Sequence, residues 1–199
     1  MPGRLQGKII AVLATDGFEQ SELLVPVEAL RDEGAVVEIV APKAGEIQGW
    51  DHLTPDRKVA VDKTLDQARS GDYDALVLPG GVANPDQLRM DDRALQFIRT
   101  MLDDGKPAGV ICHAPWLLID TGHAEGRTLT SWPSIRADLR NAGANVVDQE
   151  VVVDRGIVTS RKPDDLPAFC EKIIEEFAEG GHAGGRAAGA ETGQQPSMH

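Results

Sequence analysis

Short apolar runs alternate with longer stretches of helical periodicity along most of the chain. The first run, at 8–14, is almost continuously apolar, which is typical of a strand covered on both faces of a sheet. Residues 21–33 then repeat leucine and valine at helical spacing and end at Gly34, a good helix terminator. With a second apolar run at 36–41, this region predicts a strand–helix–strand unit with a right-handed crossover.

The alternation continues as far as a final helix, so it predicts a doubly wound α/β sandwich with a mostly parallel central sheet. Segment 42–62 interrupts it with glycines and a proline, and predicts an edge hairpin with short strands at 46–48 and 58–61. The remaining predicted strands are 74–78, 108–111, 146–147, 151–153 and 157–159. A loop is predicted at 84–86, and the remaining predicted helices are 91–104, one whose first turn contains Pro115, 132–141 and 163–178.

The length of 199 residues predicts one domain, 1–179, followed by a tail. Segment 180–199 contains six glycines and almost no large apolar residue, so we expect a flexible Gly-rich tail. No apolar run approaches the roughly 20 residues of a membrane-spanning helix. The N-terminal residues lack the apolar core of a signal peptide, so the expected location is cytoplasmic.

Charge and cysteine content exclude further classes of function. The formal net charge of −12 argues against general binding to nucleic acid or to anionic membranes. Hydrophobic residues at 41% and charged residues at 26% are typical of a soluble globular protein. The two cysteines, Cys112 and Cys170, fall in an apparent site and in the last helix, so no structural disulfide is expected.

Three predicted strands end in residues that are unusual for a plain turn. These ends are 16–19 (DGFE), 79–81 (PGG) and 112–113 (CH). In doubly wound folds, ligands bind outside the carboxyl ends of the parallel strands. If the strands are neighbours, all three segments arrive on the same edge, and together they predict one site.

Cys112 lies where a buried strand changes into a helix. Backbone N–H groups and the positive end of the helix dipole at such a place favour the thiolate, which is the reactive form of cysteine. As a nucleophile, Cys112 would attack a carbonyl carbon. The alternative is a buried structural cysteine, the commoner fate of a lone cysteine.

Neighbouring residues offer matching roles. Gly80 and Gly81 have no side chains, so their N–H groups and that of His113 could form an oxyanion hole. Glu19 could hydrogen-bond the sulfur. The alternatives are an ordinary strand-to-loop turn for the glycines and a first-turn helix residue for the glutamate.

His113 is a candidate base that depends on an unusual turn. Adjacent residues on a helix do not face each other, so only a distorted turn brings the imidazole to the sulfur. The orienting carboxylate could be Asp86, although a Pro-Asp pair is also common in turns. The other histidines lack metal-ligand spacing, so no metal site is predicted, and no phosphate-binding glycine motif is present.

The same motifs resemble the PfpI-type intracellular protease and protein deglycase family, part of the class I glutaminase-like ThiJ/PfpI superfamily. They are DGFE at 16–19, LPGG at 78–81 with NPDQLR at 84–89, and ICHAP at 111–115. The stretches 130–132, 148–154 and 160–167 are also similar. The resemblance covers 8–177 and leaves out the tail.

The resemblance implies a flavodoxin-like three-layer sandwich with a nucleophile-elbow cysteine, often in a strained backbone conformation. Cys112 would be the nucleophile with His113 beside it, Glu19 would contact the cysteine, and Gly81 with His113 would donate to an oxyanion. Asp86 would reach the histidine of a neighbouring subunit in a homodimer or hexamer. No cofactor is expected.

Three positions depart from the family pattern. Ala114 replaces the usual glycine after Cys-His and adds a methyl group at the turn. Trp116 stands where glutamine is frequent, and could narrow the entrance. Asp86 is one methylene shorter than the glutamate of some members.

Three functions remain open as hypotheses. The first is a cysteine-dependent hydrolase in stress protection, acting as a deglycase or glyoxalase on small carbonyl compounds and glycated substrates, or as an intracellular peptidase. The second is a redox sensor or chaperone with little turnover that uses an oxidisable Cys112. The third, a glutaminase subunit, is disfavoured because only His123 follows the nucleophile within the domain and no acidic partner is evident.

Overall fold

The structure, a computed structural model, describes residues 3–181. Its strands are β1 (Ile9–Leu13), β2 (Phe18–Glu19), β3 (Val36–Ala41), β4 (Glu46–Asp51), β5 (Thr54–Ala60), β6 (Lys63–Thr64), β7 (Ala75–Leu78), β8 (Ala108–Ile111), β9 (Thr128–Leu129), β10 (Asn145–Val146), β11 (Val151–Asp154) and β12 (Ile157–Ser160). Its α-helices are α1 (Gln20–Asp32), α2 (Ala83–Leu88), α3 (Asp92–Asp103), α4 (Trp116–Asp120), α5 (Arg136–Asn141) and α6 (Leu166–Glu179).

A seven-stranded sheet of order β11-β12-β8-β7-β1-β3-β6 forms the centre of the molecule. All its neighbouring strands pair in parallel except β11, which lies antiparallel to β12 at one edge. The prediction of a mostly parallel central sheet is confirmed. The carboxyl ends of β1, β7 and β8 lie side by side, so the three unusual strand ends meet at one edge.

Helices cover both faces of this sheet and make three layers. Along β1, Ile10 and Val12 face one core while Ala11 and Leu13 face the other, which explains why the strand is apolar at every position. Helices α1 and α6 supply apolar side chains to the first core, and α3 and α4 supply them to the second. The α/β flavodoxin-like sandwich is therefore confirmed.

The hairpin predicted within 42–62 forms, but not at the edge of the central sheet. Strands β4 and β5 pair antiparallel, and β4 pairs in parallel with the two-residue strand β2. This separate three-stranded sheet lies next to the carboxyl end of β1. A strand as short as β2 has no periodicity, so the sequence predicted only a turn there.

Four helical regions differ from their predictions. The helices predicted at 132–141 and 163–178 begin later, at Arg136 and Leu166, because each is preceded by a single 3-10 turn. The stretch with Asn84, Pro85 and Asp86, predicted as a loop, forms α2. The helix after Cys112 contains only five residues, and Pro115 is its N-cap rather than part of its first turn.

Beyond its first two residues, the predicted tail at 180–199 lies outside the described residues and stays a prediction. Within residues 3–181, no helix has the length and apolar character needed to cross a membrane.

Candidate active site

Cys112 lies directly after β8 with a φ of 66°, a left-handed conformation that is strained for a residue with a side chain. Its N–H donates to the carbonyl of Ser160 at 3.0 Å, and its own carbonyl accepts from the N–H of Trp132 at 2.9 Å. The side chain is buried. The turn fixes the sulfur at the carboxyl edge of the sheet, between a strand and a helix as predicted.

A buried carboxyl group lies against this thiol. It belongs to Glu22 in the first turn of α1, and the Glu22 side chain has no exposed surface. Its Oε2 accepts the N–H of Gly80 at 3.0 Å, and the carboxyl group lies close enough to the Cys112 thiol for each group to shift the pKa of the other. Oε1 is buried and has no hydrogen-bond partner, which is costly for a carboxylate and favours the protonated acid.

Glu19 does not occupy the place that the sequence assigned to it. Its Oε2 accepts the N–H of His52 at 3.0 Å, and its Oε1 accepts the hydroxyl of Ser21 at 3.4 Å. The structure therefore corrects the prediction that Glu19 bonds the sulfur, because Glu22 takes that place. The reason is geometric, since Glu19 belongs to β2 and precedes the helix.

The sequence contains a signal for Glu22, although the three motifs did not single it out. Glu22 shares the buried face of α1 with Leu23, Val27 and Leu30. A carboxylate on the apolar face of an amphipathic helix is costly unless it has a specific partner. Such a position is a candidate for function.

Burial has the largest effect on the pKa values of Glu22 and Cys112. Desolvation, followed by the charge of Glu19, raises the pKa of Glu22 to about 8. Burial also raises the pKa of Cys112, and a charged Glu22 raises it further, whereas the N–H groups of Gly81 and His113 lower it. The expected lowering of the Cys112 pKa at the helix start is thus corrected, because burial outweighs the effect of the nearby N–H groups. At neutral pH the resting site holds a neutral thiol and a neutral carboxylic acid.

The strained turn brings the imidazole of His113 to the thiol. Nδ1 lies 3.2 Å from Sγ of Cys112, although the two residues are adjacent. The ring stacks on Trp132 with centroids 5.7 Å apart, and Nε2 lies 3.4 Å from Oγ of Ser134. Burial lowers the pKa of His113 to about 4. The imidazole is therefore neutral at neutral pH and can accept the thiol proton.

The two glycines after β7 have different roles. Gly81 adopts a φ of 80°, and its N–H and that of His113 both lower the pKa of the Cys112 thiol. The N–H of Gly80 is already bonded to Glu22. This corrects the expectation that Gly80 is a free oxyanion donor, and leaves Gly81 and His113 as the candidate pair.

Gly80 is required for a different reason, which gives a stability prediction. An added Cβ would lie 2.4 Å from Oε2 of Glu22, 2.5 Å from Cβ of Cys112 and 2.9 Å from the carbonyl of Ile111. All three neighbours are fixed, so Gly80→Ala should lower the free energy of unfolding by about 1–3 kcal/mol. Urea denaturation measures this, with Gly71→Ala as control because a Cβ there has nothing within 4 Å. Equal stability of the two variants would contradict the packing described.

A pocket of about 220 Å³ opens over these groups. Its floor is formed by Glu22, Cys112 and His113, and Trp132 forms part of its wall. Trp116, expected to narrow the entrance, does not line it, because its Nε1 donates to Asp138 at 2.8 Å and its ring packs beside Arg89.

The described residues contain one group with metal-ligand spacing. The ligand atoms of Glu19, Asp51 and His52 lie within 4.8 Å of one another at the pocket mouth. Within this group, Oε2 of Glu19 accepts the backbone N–H of His52 at 3.0 Å, and Nδ1 of His52 lies 2.7 Å from Oδ1 of Asp51.

Comparison with known proteins decides the family. The model of the DJ-1/PfpI family matches residues 8–176. The chain belongs to the DJ-1/PfpI family. It is 46% identical over 169 residues to "Protein/nucleic acid deglycase 2" of Escherichia coli, covering 84% of this chain and 96% of that protein. It is also 46% identical over 164 residues to "General stress protein 18" of Bacillus subtilis, covering 82% and 94%.

Solved DJ-1 structures share the fold. Drosophila melanogaster DJ-1beta superposes with a TM-score of 0.79 at 30% identity, covering 86% of this chain and 90% of that one. The resemblance inferred from the three motifs is thereby confirmed.

Two further candidate residues of this DJ-1/PfpI protein, Asp86 and His123, do not line the pocket. Asp86 is exposed on α2, and its predicted contact with the histidine of a neighbouring subunit stays a prediction. His123 is buried and does have an acidic neighbour, since its Nε2 lies 3.2 Å from Oδ1 of Asp103. His123 does not line the Cys112 pocket, so this pair gives no support to a glutaminase.

Proposed function

We propose that this DJ-1/PfpI protein is a cysteine-dependent hydrolase that removes glyoxal-type carbonyl compounds and reverses their early adducts in stress protection. The observation that carries the proposal is the position of Cys112. Its sulfur lies 3.2 Å from a neutral imidazole on one side and against the protonated carboxyl of Glu22 on the other. The names of the Escherichia coli deglycase and of the Bacillus subtilis stress protein support it.

The first step forms a hemithioacetal. Sγ of Cys112 adds to the aldehyde carbon of an α-oxoaldehyde while Nδ1 of His113 takes the thiol proton. The carbonyl oxygen gains the electron pair of the broken π bond. The N–H groups of Gly81 and His113 supply positive potential for this oxygen, which then takes the proton from the imidazolium. Glu22 keeps its proton and, as a hydrogen-bond donor, favours negative charge on the sulfur.

The second stage needs no external oxidant or reductant. The hydrogen of the former aldehyde carbon leaves as a proton and returns to the neighbouring carbon through an enediol. One carbon is oxidised, the other is reduced, and the product is a thioester of a 2-hydroxy acid. Water hydrolyses the thioester and restores the Cys112 thiol. Because early amine adducts are in equilibrium with the free aldehyde, its removal also reverses them.

The pocket favours this chemistry over peptidase activity. Its volume of about 220 Å³ lies below the roughly 300 Å³ at which ligand pockets for drug-sized molecules begin. It fits a small carbonyl compound or one modified side chain better than a peptide segment. We place the reaction in the cytoplasm, in a homodimer or hexamer where Asp86 of one subunit orients the imidazole of another.

The redox-sensor or chaperone alternative has weaker support. A sensor cysteine is accessible and has a low pKa. Cys112 is 5% exposed, and burial raises its pKa. Both features slow its reaction with peroxide.

A substrate panel tests the proposal. The protein is incubated with glyoxal, methylglyoxal, freshly glycated amino acids and a mixture of peptides. We expect 2-hydroxy acids from the carbonyl compounds, amino acids from the adducts, and intact peptides. Peptide cleavage without carbonyl turnover would contradict the proposal and favour the peptidase.

A further inference from the structure

The tip of the β4–β5 hairpin forms part of the wall above Cys112. The pairing of Asp51 with Thr54 leaves a two-residue turn of His52 and Leu53, and both line the pocket. This position places a leucine at the mouth of the proposed active site.

The turn is not one that local backbone preference would choose. His52 has a φ of 57°, in the left-handed region where hairpin turns usually carry glycine or asparagine. Leu53 is 82% exposed, although a polar residue would be better solvated there. Strained backbone beside a pocket is a recognised sign of a functional role.

Glu19 holds this tip in place. It accepts the N–H of the strained His52 at 3.0 Å, and its strand β2 pairs with β4 directly before the turn. Glu19 is itself 8% exposed, so its carboxylate is largely shielded from water and the bond is part-buried. This contact gives Glu19 a structural role that does not involve the sulfur.

The wall around the mouth is largely apolar. Val82, which is 54% exposed, lines the pocket together with Leu53, Trp132 and Pro163. A single exposed apolar residue needs no explanation, but several around one reactive thiol do. The polar groups of the mouth are engaged, since Nδ1 of His52 lies 2.7 Å from Oδ1 of Asp51 and Glu19 accepts the bond just described.

We propose that the hairpin tip, with Val82 and Trp132, selects carbonyl compounds that carry an apolar substituent beside the reactive carbonyl, and that Glu19 is the positioning residue that holds the tip. The inference rests on the proposed function and names its substrate class. Phenylglyoxal is the test compound for this class. Glyoxal is the reference compound, because it has only hydrogen in place of the apolar substituent.

The test is the ratio of kcat/KM for phenylglyoxal to that for glyoxal. Leu53→Ser should lower this ratio about tenfold, the effect of losing apolar contact with a substrate. Met90→Ser, which alters a 76% exposed apolar residue outside the pocket, should leave the ratio unchanged. Glu19→Ala should lower the ratio like Leu53→Ser, whereas Glu19→Gln should preserve it, because the amide oxygen can still accept the N–H of His52.

The outcomes separate the two proposals. Absence of turnover for both compounds in the wild type would overturn the proposed function itself. Turnover of both with an unchanged ratio in Leu53→Ser would overturn only the role of the tip. An unchanged ratio accompanied by a lower sedimentation mass would also overturn it, and would assign Leu53 to a contact between copies of the chain.

Discussion

Replacing Cys112 by serine is expected to lower kcat/KM for methylglyoxal by at least about 1,000-fold. Serine fits the same space but is a far weaker nucleophile, and neutral His113 lacks the basicity to ionise an alcohol readily. The thiol is 5% exposed and held by a strained turn, so the small replacement should leave the fold intact. Steady-state consumption of methylglyoxal and formation of lactate measure the effect.

Cys170→Ser is the matched control. Cys170 is also a free, buried cysteine, but it lies on α6 and does not line the pocket. Its replacement should leave turnover unchanged. Comparable losses in the two variants, or full turnover in Cys112→Ser, would contradict the assignment of the nucleophile.

The second large effect concerns Glu22 and pH. Protonated Glu22 donates to the developing thiolate, whereas ionised Glu22 repels it. Since its pKa is raised to about 8, turnover should fall as pH rises through about 8. At the acid end, turnover should fall as pH drops through about 4, where His113 becomes protonated and no longer accepts the thiol proton.

Glu22→Gln should abolish the alkaline fall but keep the acid one. Its amide N–H can still donate to the sulfur, and it cannot ionise. Above pH 8 the variant should therefore exceed the wild type, a gain that simple structural damage would not produce. The same alkaline fall in both proteins would contradict the role of Glu22.

Thermal stability provides an independent check on the same carboxyl group. Its pKa in the folded protein, about 8, lies above the ordinary value of 4.5. The buried group therefore contributes stability at low pH that is lost as pH rises through about 8. Between about pH 4.5 and pH 8, the melting temperature of the wild type should decline more steeply than that of Glu22→Gln.

The fold was predictable from the sequence because its central strands are apolar on both faces. The same pattern placed Cys112 and Gly81 at one sheet edge. Contacts set by short or irregular backbone were not predictable from this pattern, although the family resemblance implied a strained turn at Cys112. The two-residue strand β2 and the left-handed turn at Cys112 have no periodicity to detect.

Glu19 and Glu22 show most clearly what could not be predicted from the sequence. Both lie near the start of α1, and the family motif drew attention to the first. The structure shows that Glu19 accepts a hydrogen bond from the hairpin tip, while Glu22 is buried beside the thiol and raises its pKa when charged. Burial likewise reversed the expected direction of the Cys112 pKa, because desolvation depends on packing that a linear sequence does not display.

Cys112 should form a covalent adduct with an α-oxoaldehyde and convert it to a 2-hydroxy acid. Carbon-13 NMR of labelled methylglyoxal, with wild type and Cys112→Ser in parallel and no added thiol, tests it most directly. We predict a protein-bound hemithioacetal resonance and accumulating lactate with the wild type, and neither with Cys112→Ser. Lactate formed equally by both proteins, or by neither, would contradict the account.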